Sequence, residues 1–190
     1  MNGKSYPLLA QLVEDHRNFS IFLGLIEDQL ERLQTGRRAD LEIVELALAY
    51  LERYADQCHH PREDLIYDVL RAKDSGAARG SVKLADEHEA IELATTTTLR
   101  TIRGILEGDT LDMVSLEALI EDFVAMYRSH ILNENQHLLP LAHERLDDED
   151  WEKIEDRAAQ LGMVERAFKV QERFRALRDY IHRLNRLLDE

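Results

Sequence analysis

The chain has one cysteine, three prolines, eight glycines and few aromatic residues among its 190 positions, and each scarcity removes an option. Cys58 has no partner for an internal disulfide, so a disulfide framework is excluded and a reducing compartment is expected. Proline and glycine are too sparse for a loop-rich or low-complexity chain, and the β-branched clusters that strands prefer are missing. No stretch approaches the roughly 18 uncharged apolar residues of a membrane span. The first residues, Met1 to Pro7, carry one lysine and no apolar core, so no export signal is read there and a cytoplasmic location is expected. Basic side chains are in deficit, 24 against 38 acidic, for a formal charge of −14. Phosphate backbones and anionic lipid would be repelled, so nucleic acid and membrane insertion are not expected.

What remains is rich in Leu, Ala, Glu and Arg, good helix formers, in a length suited to one well-buried domain. An all-α fold follows. Four amphipathic seams recur at alternating steps of three and four. The first runs through Leu9, Leu12, His16, Phe19, Leu23, Ile26 and Leu30, and the second through Leu41, Val44, Leu48, Leu51, Ala55, His59, Glu63, Ile66 and Leu70. Gly76 to Gly80 interrupts, with Ser81 as a cap for a third seam of Leu84, His88, Ile91, Thr95, Leu99 and Ile102. Asp109 or Thr110 is expected to cap the fourth, which holds Leu116, Leu119, Phe123, Met126, His130, Glu134 and His137. Short connections predict an up-down-up-down antiparallel bundle over residues 1–145. Residues 146–190 read as a helical extension, its acidic Asp147–Asp150 start leading to a short helix. A last helix follows, with Ala167, Val170, Phe174, Leu177, Ile181, Leu184 and Leu188 on one face, packed on the bundle or on a second subunit in a homodimer.

Every seam is interrupted by polar residues, and the interruptions align across the first and third turns, while across the second Glu63 and His88 differ by about one helical turn. Each residue adds about 1.5 Å of rise, so distance from a turn stands for height. His16 and His59 lie almost equally far from the first turn, as do His88 and His130 from the third. His59 with Glu63, and His130 with Glu134, are four residues apart and share a helical face. Four imidazoles and two carboxylates in one bundle core would give nitrogen ligands to each of two ions and anionic oxygens to join them. Without a cation, the buried carboxylates would cost several kcal/mol or take up protons.

The residues that carry this pattern are His16, the run His59-His60-Pro61-Arg62-Glu63, His88, and His130 to Glu134 followed by Leu138-Leu139-Pro140. Over about residues 5 to 143 they resemble the hemerythrin-like HHE cation-binding domain. The resemblance implies a non-haem centre of two irons, with zinc or manganese as alternatives. Glu63 and Glu134 would bridge, and His16, His59, His88 and His130 would be terminal ligands. Oxygen-carrying hemerythrins have a second histidine where this chain has Glu92, and an aspartate where it has Asn135. The pattern is closer to bacterial HHE proteins linked to iron-centre repair or nitric oxide responses, and to the iron and oxygen sensor domain of an F-box protein. Binding or sensing of O2, NO or iron is therefore expected ahead of dedicated catalysis. The alternatives are a diiron oxidase, peroxidase-like or repair enzyme, and a regulatory protein stapled by its metal.

Several residues are weighed separately. Adjacent residues on a helix point about 100° apart, so His59 is preferred, with His60 in its place if the proline shifts the helix, and Pro61 is expected to mark a kink or local widening that would aim His59. His60, Glu92 and His137 are held as alternative or supporting ligands. Tyr127 and Phe123 are candidates for the cavity wall, Cys58 is expected to be a buried inert thiol, and His143 and His182 to be solvated.

Overall fold

The computed structural model describes residues 6–74, 76, 84–163, 165–170, 172, 175, 179 and 180. Among them helix is the sole regular element, as the composition requires. Helix α1 spans Pro7–Gln34, starting where proline's missing N–H costs nothing and stopping before Gly36, whose φ of 67° favours glycine. Helix α2, Leu41–Tyr54, is capped by Asp40, which accepts from the Glu42 amide. It passes through a π-helical turn, Ala55–His59, into α3, His60–Lys73. After α4, Leu84–Glu107, comes α5, Met113–Asn133, then a second π-helical turn, Glu134–Leu138, and α6, Leu139–Arg145. Helix α7, Asp148–Gln160, begins with a capping box in which Asp147 and Asp150 satisfy each other's backbone amides.

One expectation is refined and one corrected. The widening read beside Pro61 is a π turn, and a second π turn stands at Glu134, so neither the second nor the fourth seam lies on an uninterrupted α-helix. The cap of α5 is Asp112, which accepts from the Ser115 amide, in place of Asp109 or Thr110. Asp109 is already committed: its amide bonds the Gly104 carbonyl, and a Cβ on Gly104 would lie 2.6 Å from Asp109 Oδ2. The Ser81 cap, Phe174, Leu177, Ile181, Leu184, Leu188 and His182 lie outside the described residues.

Helix α1 packs on α2 and α5, and α4 packs on the same two, closing a ring. Two apolar cores fill it. The larger joins Phe19, Leu23 and Ile26 to Leu48 and Leu51, Leu99 and Ile102, and Ile120 and Phe123, with Ala167 beside them. The smaller joins Leu8 and Leu12 to Ile66, Leu70, Leu138, Leu139, Trp151 and Ile154. Helix α7 thus packs on α3, with Trp151 stacked on Tyr6 at 4.7 Å and Lys73 paired to Asp147 and Asp150. Each Leu or Phe sealed this way contributes about 1.5–3 kcal/mol. That contribution offsets the polar layer the ring holds between the two cores, where every interrupted seam meets.

Candidate metal centre

Seven buried side chains meet in that layer: His16, His59, His60, Glu63, His88, His130 and Glu134. They form two groups, His16, His59, Glu63 and Glu134 in one and His60, Glu63, His88 and His130 in the other, each with one ligand atom per residue within 4.8 Å of the rest. Glu63 belongs to both groups, and Glu134 of the first also approaches two rings of the second. Glu63 Oε1 lies 3.5 Å from His16 Nε2 and 3.2 Å from His59 Nε2, while its Oε2 lies 3.4 Å from His88 Nε2. Glu134 Oε2 lies 3.2 Å from His16 Nε2, while its Oε1 lies 3.4 Å from His88 Nε2 and 3.2 Å from His130 Nε2.

These approaches are close, yet few have hydrogen-bond geometry. Both Glu63 oxygens, Glu134 Oε2, His60 Nε2 and His130 Nε2 are buried with no hydrogen-bond partner among the described residues. Native interiors rarely leave such groups unsatisfied, since each costs about 1–3 kcal/mol. Atoms that crowd together without bonding each other share a target between them. His16 Nε2 and His59 Nε2 are 2.9 Å apart, and two nitrogens at right angles on an ion about 2.1 Å away would be ~3 Å apart. The donor set and its spacing fit metal ions.

The five imidazoles are held from behind. His16 Nδ1 lies 3.0 Å from Asn135 Oδ1, His59 Nδ1 3.3 Å from Asp15 Oδ2, and His60 Nδ1 3.7 Å from Asp56 Oδ1. His88 Nδ1 lies 3.4 Å from Asp64 Oδ1, and His130 Nδ1 3.5 Å from Glu87 Oε2. Each ring therefore turns Nε2 inward; Asn135, Asp15 and Glu87 fix the orientation and tautomer of His16, His59 and His130 by hydrogen bonds, while Asp56 and Asp64 stand near His60 and His88 as charges without a hydrogen bond. Asp15 is itself anchored, accepting from Tyr54 Oη at 2.8 Å and pairing with Arg62 at 3.4 Å. Phe19 packs edge to face on His59 at 4.8 Å and on Tyr127 at 5.9 Å, walling the larger-core side.

Electrostatics agree with a cation site. Burial opposes charge on all these rings, yet Glu134 and Glu63 lift His16 to about 10, and Asp64, Glu134 and Glu63 lift His88 to about 11. Burial works against ionisation of Glu63 too, but the surrounding imidazoles hold its carboxyl well below the usual range. His60 and His130 go the other way, lowered by burial. Absent metal, protons on some rings balance the carboxylates; cations would replace them.

His16, His59, Glu63, His88, His130 and Glu134 are thus brought together as the spacing predicts. His60 joins them as well. Between Ala55 and His59 the turn widens, the His60 amide bonds back to the Ala55 carbonyl, and two neighbouring residues reach one cavity. Glu92 is exposed and outside both groups, and His137 is exposed with Nδ1 on the Asn133 carbonyl. Cys58 is buried and its thiol is pushed up by burial, as expected of an inert residue. His143 is exposed at the edge of Tyr6. Sequence reasoning missed the outer acceptors Asp15, Asp56, Asp64 and Glu87.

Fold and site together define a helical protein with a buried cluster suited to cations. The hemerythrin HHE cation-binding domain model matches residues 8–142, most of the chain, and the chain belongs to that family. Neither the curated proteins nor the solved structures give a match. Among the described residues no helix is long and apolar enough to cross a membrane.

Proposed function

We propose that residues 1–145 form an antiparallel up-down-up-down four-helix bundle that holds two iron ions and binds or senses a small diatomic ligand, with residues 146–190 as its helical extension. His16 and His59 would hold one ion and His60, His88 and His130 the other, with Glu63 and Glu134 spanning both. The observation that carries this reading is the division of the two carboxylates, each of which turns one oxygen to His16 and the other to His88. A single ion would need only one such face. Iron in place of zinc or manganese rests on the hemerythrin-like resemblance, since the donor set of nitrogen and carboxylate oxygen suits all three.

Bound iron would supply affinity for O2 or NO. The chain's own residues do the rest: Asp15 and Asn135 hold the His59 and His16 rings, and Phe19 and Tyr127 keep bulk water from that side. The His16–His59 side has fewer protein donors than the side of His60, His88 and His130, which leaves it the place for an external ligand. Anaerobic protein titrated with Fe(II) should load a pair of ions per chain and gain near-ultraviolet charge-transfer bands on exposure to air or NO. Less than one iron per chain and no such bands would overturn the reading. Melting on chelation with no redox-sensitive spectrum would favour a metal that only staples the helices.

A further inference from the structure

The side chains around the cluster seal it unevenly. A cavity of about 230 Å³ opens between α4 and α5 with His130 in its lining. Glu87, Ser129 and Asn133 make a polar strip in that lining, and Ile91 and Met126 an apolar one. Two larger cavities, about 310 and 340 Å³, meet none of the clustered histidines or glutamates. His130 is only 4% exposed, and its Nε2 has no hydrogen-bond partner among the described residues. Its Nδ1 lies 3.5 Å from Glu87 Oε2, on a side chain that is 36% exposed. One carboxylate therefore touches both solvent and a ring of the cluster, at the lining of a cleft.

Resting on the metal-centre reading above, we infer that divalent cations enter the centre through this α4–α5 cleft, with Glu87 as the receiving carboxylate and His130 as the ring they pass. A hydrated cation sheds water stepwise, and each step is easier where oxygen ligands replace what is lost. The polar strip supplies such oxygens from Glu87, Ser129 and Asn133. The chain's charge of −14 draws cations to the surface, and a carboxylate at the mouth of a low-dielectric cleft focuses that field. By contrast, His59 is backed by Asp15, which is fully buried, and Asn135 behind His16 is exposed but carries no charge and lines none of these three cavities. Asp64 is the competing gate, an exposed carboxylate on His88, but none of these three cavities includes it.

The test is the rate at which metal-free full-length protein takes up Co(II), followed by its visible absorption in a stopped-flow mixer, with final metal content measured separately. Ser129→Phe, which fills the cleft, should slow uptake several-fold at unchanged final content. Met126→Ala, which widens it by removing atoms from an exposed side chain, should speed uptake. Raising ionic strength should slow the wild type more than Glu87→Gln. Full loading at wild-type rates in both cleft variants overturns the route and leaves the centre standing, as does slow uptake in Asp64→Asn alone. If Ser129→Phe fails to fold, an unaltered rate in Met126→Ala is sufficient to reject it. A wild-type chain that takes up no Co(II) at all overturns the centre itself.

Discussion

The two histidine groups differ in what stands behind them. His59 is backed from the interior by Asp15, whose side chain has no exposure and also serves Tyr54 and Arg62, while His16 is backed by Asn135, an exposed residue. His60, His88 and His130 are backed by Asp56, Asp64 and Glu87, whose side chains are 25%, 55% and 36% exposed. The His59 end of the centre is thus built into the core, and the other rings lean on partners that reach the surface. The first should couple to the stability of the whole molecule, and the second to exchange of ions and protons.

The sharpest test of that asymmetry sets Asp15→Ala against Asp64→Ala in urea unfolding of the metal-free protein. Losing Asp15 leaves the Arg62 guanidinium, 3% exposed, without its carboxylate and strips acceptors from Tyr54 and His59. Breaking a buried pair in this way costs roughly 3–5 kcal/mol. Asp64 is mostly solvated, and its removal should cost less than about 1 kcal/mol in stability. It should still weaken metal binding by about 10–100-fold, the usual effect of removing a ligand's outer partner. Equal stability losses would erase the distinction between the halves.

A smaller effect is carried by protons. Burial disfavours the charged form of His16 and His88, but the neighbouring carboxylates raise them from 6.5 to about 10 and about 11. A raised folded-state value stabilises fully below the ordinary 6.5 and loses that contribution as pH climbs through 10 to 11. Metal-free protein should therefore lose stability on the alkaline side of neutrality faster than loaded protein, in which ions take over from protons. At pH 7.5, loading should release protons, counted by calorimetry in buffers of different ionisation enthalpy. No release would contradict protonated rings in the empty cluster.

Much of this was legible from spacing alone. The heights of His16, His59, His88 and His130 along their seams bring their rings into one layer. The outer acceptors were not legible, and the reason is geometric. Asp15 is next to His16 but holds His59; Asn135 is next to Glu134 but holds His16; Asp64 is next to Glu63 but holds His88; and Glu87 is next to His88 but holds His130. Each of these four residues turns off its own helix's inner face and reaches a ring on a neighbouring element. Pairings of this kind depend on which helices are neighbours in space, and heptad spacing within one helix carries no record of that. His60 was hidden differently, because the angle between successive residues was taken from a regular α-helix. The available signal was a repeated one: His59-His60-Pro61 and Leu138-Leu139-Pro140 both place a proline just after a π turn.

Those two prolines give the finest comparison. In each turn an amide bonds five residues back, His60 to Ala55 and Leu139 to Glu134, and the proline that follows has no N–H to offer the next carbonyl. For Pro61 that carbonyl is Gln57's, which Arg166 Nη1 reaches at 3.4 Å in its place. Alanine at 61 would restore a donor, favour the regular four-residue bond to Gln57, and turn His60 by about 100° away from its present direction. Alanine at 140 would have no such effect on the site, because Glu134 stands at the start of its turn and is oriented by α5, whereas His60 stands at the end of its own. Pro61→Ala should therefore lower Co(II) affinity severalfold and alter the visible spectrum with little change in melting temperature, while Pro140→Ala leaves both as they are. If the two variants bind Co(II) equally well, the π turn does not present His60, and its place in the cluster has some other cause.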